Sequence, residues 1–385
     1  MKKVLTIGIV LGALAIALAL LFGYWFLRPN RAQVDKDVVI EVWNVTNDDY
    51  HNSNTDLIQW RDQFYIAYVS SPYHFASDAS VLHVKRSADL GRTWEEVTTF
   101  NPPDEDIRDP KFAIIGQRLF FYALKNTNFV AEPYLSVYAY TEDGTDWTAF
   151  ETVSGLEGWL FWRPKTQDGQ TFYNAAYWYE HGEAILVKSS DGIHWERVAT
   201  ICQGERSDET AIEFMLDGRL IATARVEYGT STDGALGDDR GATLIAVAEP
   251  PYTAWTERVQ SRVTRLDGPV LFAYNGRTYA VGRYQPDLGK SGPLTAQGSV
   301  LARKRTALYE VHERGLAYLT DLPSAGDTSY VGLVVDGDVA YATYYTSRVD
   351  RDYPWIIGML RPSAVMMARI DLQKMQALAD QVEAR

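Results

Sequence analysis

Residues 87–94 read SADLGRTW, residues 141–147 read TEDGTDW, and residues 189–195 read SSDGIHW. The three stretches share a hydroxyl residue, an aspartate two positions later, a glycine and a closing tryptophan, and they recur about every 50 residues. The aspartate can accept hydrogen bonds from the turn backbone, the glycine permits a positive φ, and the tryptophan ring can pack between neighbouring sheets. A repeat of this period predicts a solenoid, a propeller or another array of similar units.

Polar turns between β-rich segments recur along the rest of the chain. Six of them predict hairpins, because Asn-Gly and Asp-Gly pairs favour two-residue turns. The six are Arg61-Asp62-Gln63, Gly116-Gln117, Asp168-Gly169, Asp217-Gly218, Asn275-Gly276 and Asp336-Gly337. Four strands per repeat indicate an all-β fold, a β-propeller of six blades, and we expect it to span residues 37–372.

The two ends of this domain are expected to meet. A strand at 38–42 precedes the first complete blade, and the last repeat ends one strand short after residues 364–372. Pairing of these two segments would close the ring and remove its open edges. Residues 373–385 would then form a short polar helix or tail.

The composition fits a large folded domain and excludes several classes of protein. Of the 385 residues, 46% are hydrophobic, and 24 are Tyr and 11 are Trp, which excludes intrinsic disorder and favours strands. A net charge of -13 repels phosphate backbones, so nucleic acid is not an expected partner. The single cysteine, Cys202, excludes an intramolecular disulfide, and the six histidines lack metal-ligand spacing. The sequence therefore predicts no metal and no other cofactor.

The N-terminus carries an apolar run at residues 4–27. About 24 residues at 1.5 Å each are enough to cross a bilayer core of ~30 Å. We expect residues 1–27 to be an uncleaved membrane anchor, with a cleaved signal peptide, and hence secretion, as the alternative. Residues 28–36 would be a polar linker, and the propeller would lie outside the cell.

The three aspartate turns resemble the Asp-boxes of sialidases and of related bacterial BNR-repeat proteins. The resemblance extends from about His51 to Leu372 and implies a six-bladed propeller. An Asp-box lies away from the active site in that family, so it indicates architecture, and function has to be argued from the pocket residues.

The innermost strand of each blade is expected to start near the propeller axis, where the connecting loops form the default pocket. Five of the six predicted starts carry a charge, which suits a pocket for a sugar. The residues at these starts are Asp56, Arg108 with Asp109, Arg163, Glu209, Asp267 and Tyr330. The alternative is a ring of salt bridges between blades that plugs the channel.

The resemblance implies catalytic roles for some of these residues. Sialidases use a tyrosine nucleophile whose proton is taken by a glutamate, and Tyr330 and Glu209 match that pair. Asp78 matches the acid and base residue, in a loop before the first Asp-box, and His74 competes with it for this role. On position alone, Tyr330 has the alternative of being a core tyrosine.

The match to the substrate-binding residues of sialidases is incomplete. Arg225 and Arg283 match two of the three arginines that hold the sugar carboxylate in that family, but Asp56 lies where the third is expected. A carboxylate there would repel an acidic sugar, unless Arg108 or Arg163 supplies the missing donors.

Two short segments resemble a particular group of sialidase-like bacterial proteins. Residues 106–110 read DIRDP and residues 326–332 read GDTSYVG, similar to the DLRDP-type and GDTSYPG-type segments of that group, whose substrate need not be sialic acid. Asp109 is a further candidate for binding substrate, although an aspartate before a proline also ends loops by accepting backbone hydrogen bonds.

The resemblance, carried by these residues, implies a sialidase-like exo-glycoside hydrolase that acts with retention on terminal, acidic sugars of extracellular glycans. One alternative is a non-catalytic propeller that binds glycans or proteins at the same face. Another is a polysaccharide lyase, which needs a base beside a uronate and forms no glycosyl-enzyme intermediate.

Overall fold

The computed structural model describes residues 2–127, 135–204, 206–227, 236–238, 240–286 and 296–383. Within these ranges the chain forms three helices, α1 (Lys2–Leu27), α2 (Trp355–Met359) and α3 (Leu372–Glu383). The first strands are β1 (Val39–Thr46), β2 (His51–Trp60), β3 (Gln63–Ser71), β4 (Val81–Ser87), β5 (Glu95–Phe100), β6 (Glu105–Ile115), β7 (Arg118–Thr127), β8 (Leu135–Thr141), β9 (Glu151–Thr152), β10 (Trp159–Phe161), β11 (Lys165–Thr166), β12 (Phe172–Trp178), β13 (Glu183–Ser189) and β14 (Glu196–Gln203). The remaining strands are β15 (Ser207–Phe214), β16 (Leu220–Val226), β17 (Ala242–Ala248), β18 (Trp255–Ser261), β19 (Asp267–Tyr274), β20 (Arg277–Tyr284), β21 (Arg305–His312), β22 (Gly315–Asp321), β23 (Thr328–Asp336), β24 (Val339–Thr346) and β25 (Ala364–Asp371).

The strands form six antiparallel sheets, which confirms the predicted six-bladed propeller. From the axis outward, blades one and two have the orders β2-β3-β4-β5 and β6-β7-β8-β9. Blade three has the order β10-β12-β13-β14, with β11 also paired to β12, and blades four and five are β15-β16-β17-β18 and β19-β20-β21-β22. Neighbouring blades meet around the axis through contacts such as β2 with β6 and β19 with β23.

Blade six combines both ends of the propeller, as predicted. Its order is β23-β24-β25-β1, and β1 pairs antiparallel with β25 from Val39 opposite Ile370 to Thr46 opposite Val365. The pairing gives β25 a neighbour on both sides, so the sheet has four strands like its neighbours.

The aspartate turns have the geometry that the repeat predicted. In the first, the backbone N–H of Gly91 donates to Ser87 Oγ at 2.9 Å, and the N–H of Thr93 donates to Asp89 Oδ1 at 2.8 Å. Gly91 has a φ of 82°, which glycine adopts without steric cost. Trp94 packs against the apolar cluster shared by blades one and six, so the turn holds two sheets together.

The N-terminal residues contact the propeller as soon as α1 ends. Residues 6–25 of α1 are long and apolar enough to cross a membrane, a property that a signal sequence shares. The following segment, 28–36, lies along blades five and six: the backbone N–H of Gln33 donates to Asp321 Oδ2 at 2.6 Å, and Arg28 Nε lies 2.7 Å from Asp352 Oδ2. At the other terminus, α3 covers the same blades with buried side chains such as Met375.

Candidate active site

The inner strands share an irregularity near the axis. β2, β6, β15, β19 and β23 each shift register by one residue close to their starts, as in a β-bulge. In four of these bulges the residue just after the last regular pair has a positive φ: Asn54, Asp109, Gly268 and Tyr330, with φ of 52°, 53°, 58° and 48°. A non-glycine residue in this conformation costs about 1–3 kcal/mol, a strain that clusters at functional sites. The bulges redirect the side chains of successive blades at one level of the channel.

Tyr330 and Glu209, the residues proposed from the sequence as nucleophile and base, lie in contact. Tyr330 Oη donates a hydrogen bond to Glu209 Oε1. The other carboxylate oxygen of Glu209 accepts from the backbone N–H of Gly268 at 2.6 Å and lies 3.0 Å from Arg225 Nη1. Both side chains are buried. The Glu209 carboxylate is therefore oriented by three groups and directs one lone pair at the phenol.

Burial sets the protonation of this pair. It raises the pKa of Glu209 above its usual value, although Arg225 opposes the shift. Burial, followed by the charge of Glu209, raises the pKa of Tyr330 well above its usual value. The phenol therefore keeps its proton at neutral pH, and a more basic carboxylate lies in position to take it.

Arg225 lies in the site but already has carboxylate partners. Its Nε and Nη2 lie 2.7 and 2.5 Å from the two oxygens of Asp208, a bidentate pair. Its Nη1 reaches Glu209 and lies 3.9 Å from Asp267 Oδ1. Arg225 therefore orders the acids at the start of blades four and five, and a substrate anion would compete with them.

Arg283 also has carboxylate partners and lies beside the Tyr330 ring. Its Nε lies 3.2 Å from Asp267 Oδ2, and its Nη1 lies 3.4 Å from Asp327 Oδ1. Its Cζ lies 5.5 Å from the centre of the Tyr330 ring. Although burial opposes ionisation of Asp267, Arg265 and Arg283 hold its pKa below the usual range.

Asp56 pairs with Arg163 instead of facing the pocket alone. The Oδ1 of Asp56 lies 3.1 Å from Arg163 Nε, and its Oδ2 accepts from the backbone N–H of Phe112 at 2.6 Å. Arg163 Nη1 and Nη2 donate to the carbonyl oxygens of Pro269, at 3.2 Å, and Val331. Asp56 and Arg163 thus form a hub that joins blades one, two, three, five and six. A salt bridge between blades within the channel, one of the alternatives that the sequence allowed, is present at this pair.

The hub also borders a cavity at the far ends of the inner strands. The cavity has a volume of about 380 Å³, and Lys165 and Glu213 line it together with Asp56 and Arg163. Tyr330 is not among the described residues that line it. Asp56 and its partner Arg163 therefore border this cavity.

The remaining predicted residues lie in or beside the β3–β4 loop. His74 Nδ1 lies 2.7 Å from Asp327 Oδ2, and Arg108 Nε lies 2.5 Å from Asp106 Oδ2. Asp78 is exposed, and the hydrogen bond described for it is accepted by its backbone oxygen from Asn101 at 3.4 Å. The structure thus brings His74 beside the start of β23, while the side chain of Asp78 points to solvent.

Asp109, expected from the sequence to bind substrate, is buried near the axis and acts electrostatically on Tyr330. Its Oδ1 accepts a hydrogen bond from Asn54 Nδ2, and its side chain is buried. Its charge also contributes to the raised pKa of Tyr330, which places it electrostatically beside the phenol. Asp109 is therefore a second buried carboxylate whose charge acts on the Tyr330 phenol.

Sequence reasoning missed a buried lysine. Lys111 Nζ lies 4.7 Å from the centre of the Trp162 ring and 5.8 Å from that of Tyr330. Burial, followed by the charge of Arg163, lowers the pKa of Lys111 to about 8. The only signal in the sequence is that a lysine follows both Asp109-Pro110 and Arg163-Pro164.

No protein-family model matches the sequence, and no curated protein is similar to it at a significant level. Solved structures do resemble the fold. A protein of unknown function from Dyadobacter fermentans has a TM-score of 0.63 at 13% identity, over 86% of this chain and 98% of that one. The phage phi92 endosialidase has a TM-score of 0.61 at 12% identity, over 86% and 69%. The Trypanosoma rangeli sialidase has a TM-score of 0.59 at 13% identity, over 87% of this chain and 57% of the larger enzyme.

At these identities the similarity establishes the fold alone. The order of the six sheets and the closure of blade six agree with it. The chain therefore has the six-bladed β-propeller fold found in sialidases.

Proposed function

We propose that this protein is a retaining exo-glycoside hydrolase of the sialidase type, with Tyr330 as its nucleophile. The observation that carries the proposal is the hydrogen bond from Tyr330 Oη to Glu209 Oε1, made between two buried side chains where Gly268 and Arg225 hold the glutamate. A phenol is a weak nucleophile until a base removes its proton, and this contact supplies the base.

The reaction would proceed in two steps. Tyr330 Oη attacks the anomeric carbon while its proton passes to Glu209, and the bond to the leaving oxygen breaks as an acid protonates that oxygen. Water then attacks the glycosyl-tyrosine, the same acid, now a carboxylate, takes a proton from the water, and Glu209 returns its proton to the phenol. Two inversions at one carbon give retention.

Two carboxylates are candidates for the acid. Asp78 was proposed from its place in the β3–β4 loop, and its exposed side chain would have to move toward the sugar. Asp109 is buried, and the hydrogen bond that it accepts from Asn54 fixes its orientation. Of these two carboxylates, Asp109 is the better candidate, because a general acid has to lie within hydrogen-bond reach of the leaving oxygen.

The ion pairs that the arginines already make with carboxylates of the protein affect which class of sugar the site can bind. Arg225 and Arg283 both contact carboxylates of the protein, and the donors of Arg163 are used within the hub. An acidic sugar would have to displace these partners, whereas the hydroxyls of a neutral sugar can share them. This arrangement favours a terminal sugar without a carboxylate over the acidic sugar expected from the sequence.

Trapping with fluorinated sugars tests the proposal. The full chain is incubated with activated fluoro-glycosides of sialic acid and of neutral hexoses, digested and analysed by mass spectrometry. A sugar covalently attached to the peptide containing Tyr330 supports the nucleophile, and the glycoside that labels fastest identifies the substrate class. Turnover without a trapped intermediate, or a sugar on another residue, would contradict the mechanism.

A second candidate is a non-catalytic glycan-binding propeller. It is favoured by the completeness of the ion pairing around Tyr330, since a fully paired network also stabilises a channel without chemistry. Binding of a glycan without turnover of any glycoside in the same panel would support it.

We also propose that α1 anchors the propeller at the outer face of the cell membrane. Arg303 Nη2 donates to the backbone oxygen of Trp25, and Arg303 Cζ lies 4.6 Å from the Trp25 ring. These contacts continue the docking of residues 28–36, so the helix end and the propeller support each other. Protease accessibility of the propeller on intact cells, with recovery of residues 1–27 in the membrane fraction, tests the proposal.

A further inference from the structure

A second cluster of titratable side chains lies beside the catalytic pair and takes no part in the proposed reaction. It consists of His51 at the start of β2, His74 in the β3–β4 loop and Asp327 just before β23. Asp327 Oδ2 lies 3.1 Å from His51 Nε2 and 2.7 Å from His74 Nδ1, and the three atoms all lie within 4.8 Å of one another. The side chains of His51 and Asp327 are fully buried, and 18% of the His74 side chain is exposed.

A hydrogen bond fixes the tautomer of His51. Its Nδ1 lies 2.8 Å from the carbonyl oxygen of Arg361, and a carbonyl can only accept, so Nδ1 carries a hydrogen. The Nε2 of a neutral His51 then directs a lone pair at the Asp327 carboxylate. Two lone pairs facing each other in a buried site repel, so a proton or a metal ion has to lie between them.

The other oxygen of Asp327 is already held by donors. Its Oδ1 accepts from Trp355 Nε1 at 2.7 Å and from Tyr345 Oη at 3.1 Å, and it lies 3.4 Å from Arg283 Nη1. These contacts leave Oδ2 to the two histidines. Hydrogen bonds that orient a carboxylate and a histidine from outside, as here and at the Arg361 carbonyl, are typical of metal ligands.

We propose that His51, His74 and Asp327 bind a divalent transition-metal ion of the zinc type through Nε2, Nδ1 and Oδ2. Two imidazole nitrogens and one carboxylate oxygen are ligands that such ions prefer. The separations of 3.1 and 2.7 Å approach the roughly 3.3 Å between donors that surround Zn²⁺ tetrahedrally at about 2.0–2.1 Å. Three protein ligands leave a fourth position for water or a substrate oxygen.

The site would connect parts of the propeller that are distant in sequence. An ion held there ties the β3–β4 loop to β2 and to the start of β23. Asp327 is three residues before Tyr330, and Arg283 contacts both Asp327 and, across its guanidinium face, the Tyr330 ring. Metal binding would thereby fix the backbone that positions the phenol.

Two similar groups in the described part of the chain differ in their carboxylates. In the group His181, Asp208 and Glu227, both carboxylates are already paired with guanidinium groups. Arg225 binds both oxygens of Asp208, and Arg265 Nη1 lies 2.8 Å from Glu227 Oε1. The group Glu310, His312 and Glu383 lies at the far end of blade five and is partly exposed. The first of these groups provides a matched control, because its histidine has a similar exposure, 24%.

Metal titration of the full chain in detergent tests the proposal. The protein is stripped with a chelator and titrated with ZnCl₂ by calorimetry and with CoCl₂ by visible absorption. We expect one equivalent of Zn²⁺ to bind with a Kd of about 1 μM or lower, and Co²⁺ to show the strong bands of a four-coordinate site. His74→Ala should weaken binding by at least about 100-fold, while His181→Ala should change it by less than about 3-fold.

Each result decides the question. Absence of saturable binding, equal affinity in His74→Ala and the parent, or an equal loss in His181→Ala would overturn the assignment. If His74→Ala does not fold, X-ray absorption spectroscopy of the zinc-loaded parent replaces it. Two imidazole nitrogens and a carboxylate oxygen at about 2.0–2.1 Å are then expected, and a shell with fewer than two imidazoles contradicts the site.

Discussion

Asp56 of blade one and Arg163 of blade three form a buried ion pair across the propeller channel, with Oδ1 3.0 Å from Nη2. The two blades are not neighbours, so the pair spans the axis, and the same guanidinium also binds carbonyl oxygens of Pro269 in blade five and Val331 in blade six. Asp56, at the position where the resemblance to sialidases predicts an arginine, therefore has a cationic partner within the protein. That partner is Arg163.

Asp56→Ala should lower the free energy of unfolding by about 3–5 kcal/mol, because it leaves Arg163 as an unpaired buried charge and removes the acceptor of the Phe112 N–H. Urea denaturation of the variant and the parent measures the change. Asp146→Ala, at an exposed turn position, is the control and should stay within about 0.5 kcal/mol. A loss as small as that of the control would show that the pair does not support the fold.

Tyr330→Phe and Glu209→Gln should each reduce kcat by a factor of at least about 10³ on the glycoside identified by trapping, since each removes one half of the nucleophile and base pair. Stability should fall by only about 1 kcal/mol in Tyr330→Phe, because Glu209 keeps its bonds to Gly268 and Arg225. Tyr344→Phe, which loses a hydrogen bond to the Pro323 carbonyl, is the matched control. Activity in Tyr330→Phe close to that of this control would remove the proposed mechanism.

Lys111→Met should abolish part of the pH dependence of stability. The folded protein holds the Lys111 proton with a pKa of about 8, whereas the unfolded chain holds it with a pKa of about 10.4. Between these values the unfolded state binds more protons, so the stability of the parent rises with pH. Relative to the variant, the parent should gain about 2 kcal/mol from pH 7.5 to pH 9.5.

Denaturation curves at both pH values, with Lys374→Met of the exposed α3 surface as the control, measure this difference. The control should show the same pH dependence as the parent. A parent and Lys111→Met that change in parallel would mean that the lysine is solvated in both states.

Truncation should separate the roles of α1 and β1. Removal of residues 1–27 should leave a chain that unfolds cooperatively, because the propeller closes without them. Removal of residues 1–46 also deletes β1, exposes the edge of β25 and takes away the buried Val39, so the melting temperature should fall sharply. Thermal unfolding followed by circular dichroism compares the two chains, and equal midpoints would mean that β1 does not stabilise the ring.

The architecture was predictable because short sequence patterns that specify turns and strands recur along the chain. The turn at Asp89 and its two copies gave the length of the repeat. The apolar segment at Val39 preceded the first complete blade and the last repeat was one strand short, so the two were expected to pair. The contact between Tyr330 and Glu209 came from the resemblance alone, since their separation along the chain carries no information about distance in space.

Other parts of the site depend on contacts between blades that no local pattern encodes. Lys111 lies between two aromatic rings, and the choice of Arg163 as the partner of Asp56 follows from geometry across the channel. The His51 and Asp327 pair lacked the close spacing by which sequences reveal metal ligands, because its members come from the first and last blades.

The pairing of β1 with β25 makes the order of synthesis matter. Among the described strands, β1 leaves the ribosome first and its partner, Ala364–Asp371, leaves it last. At about 5–20 residues per second, β1 waits on the order of tens of seconds with an unpaired edge, which can pair with other chains. A message truncated before the codon for Ala364 would therefore leave blade six with β23 and β24 alone, and β1 would keep an unpaired edge that other chains can pair with.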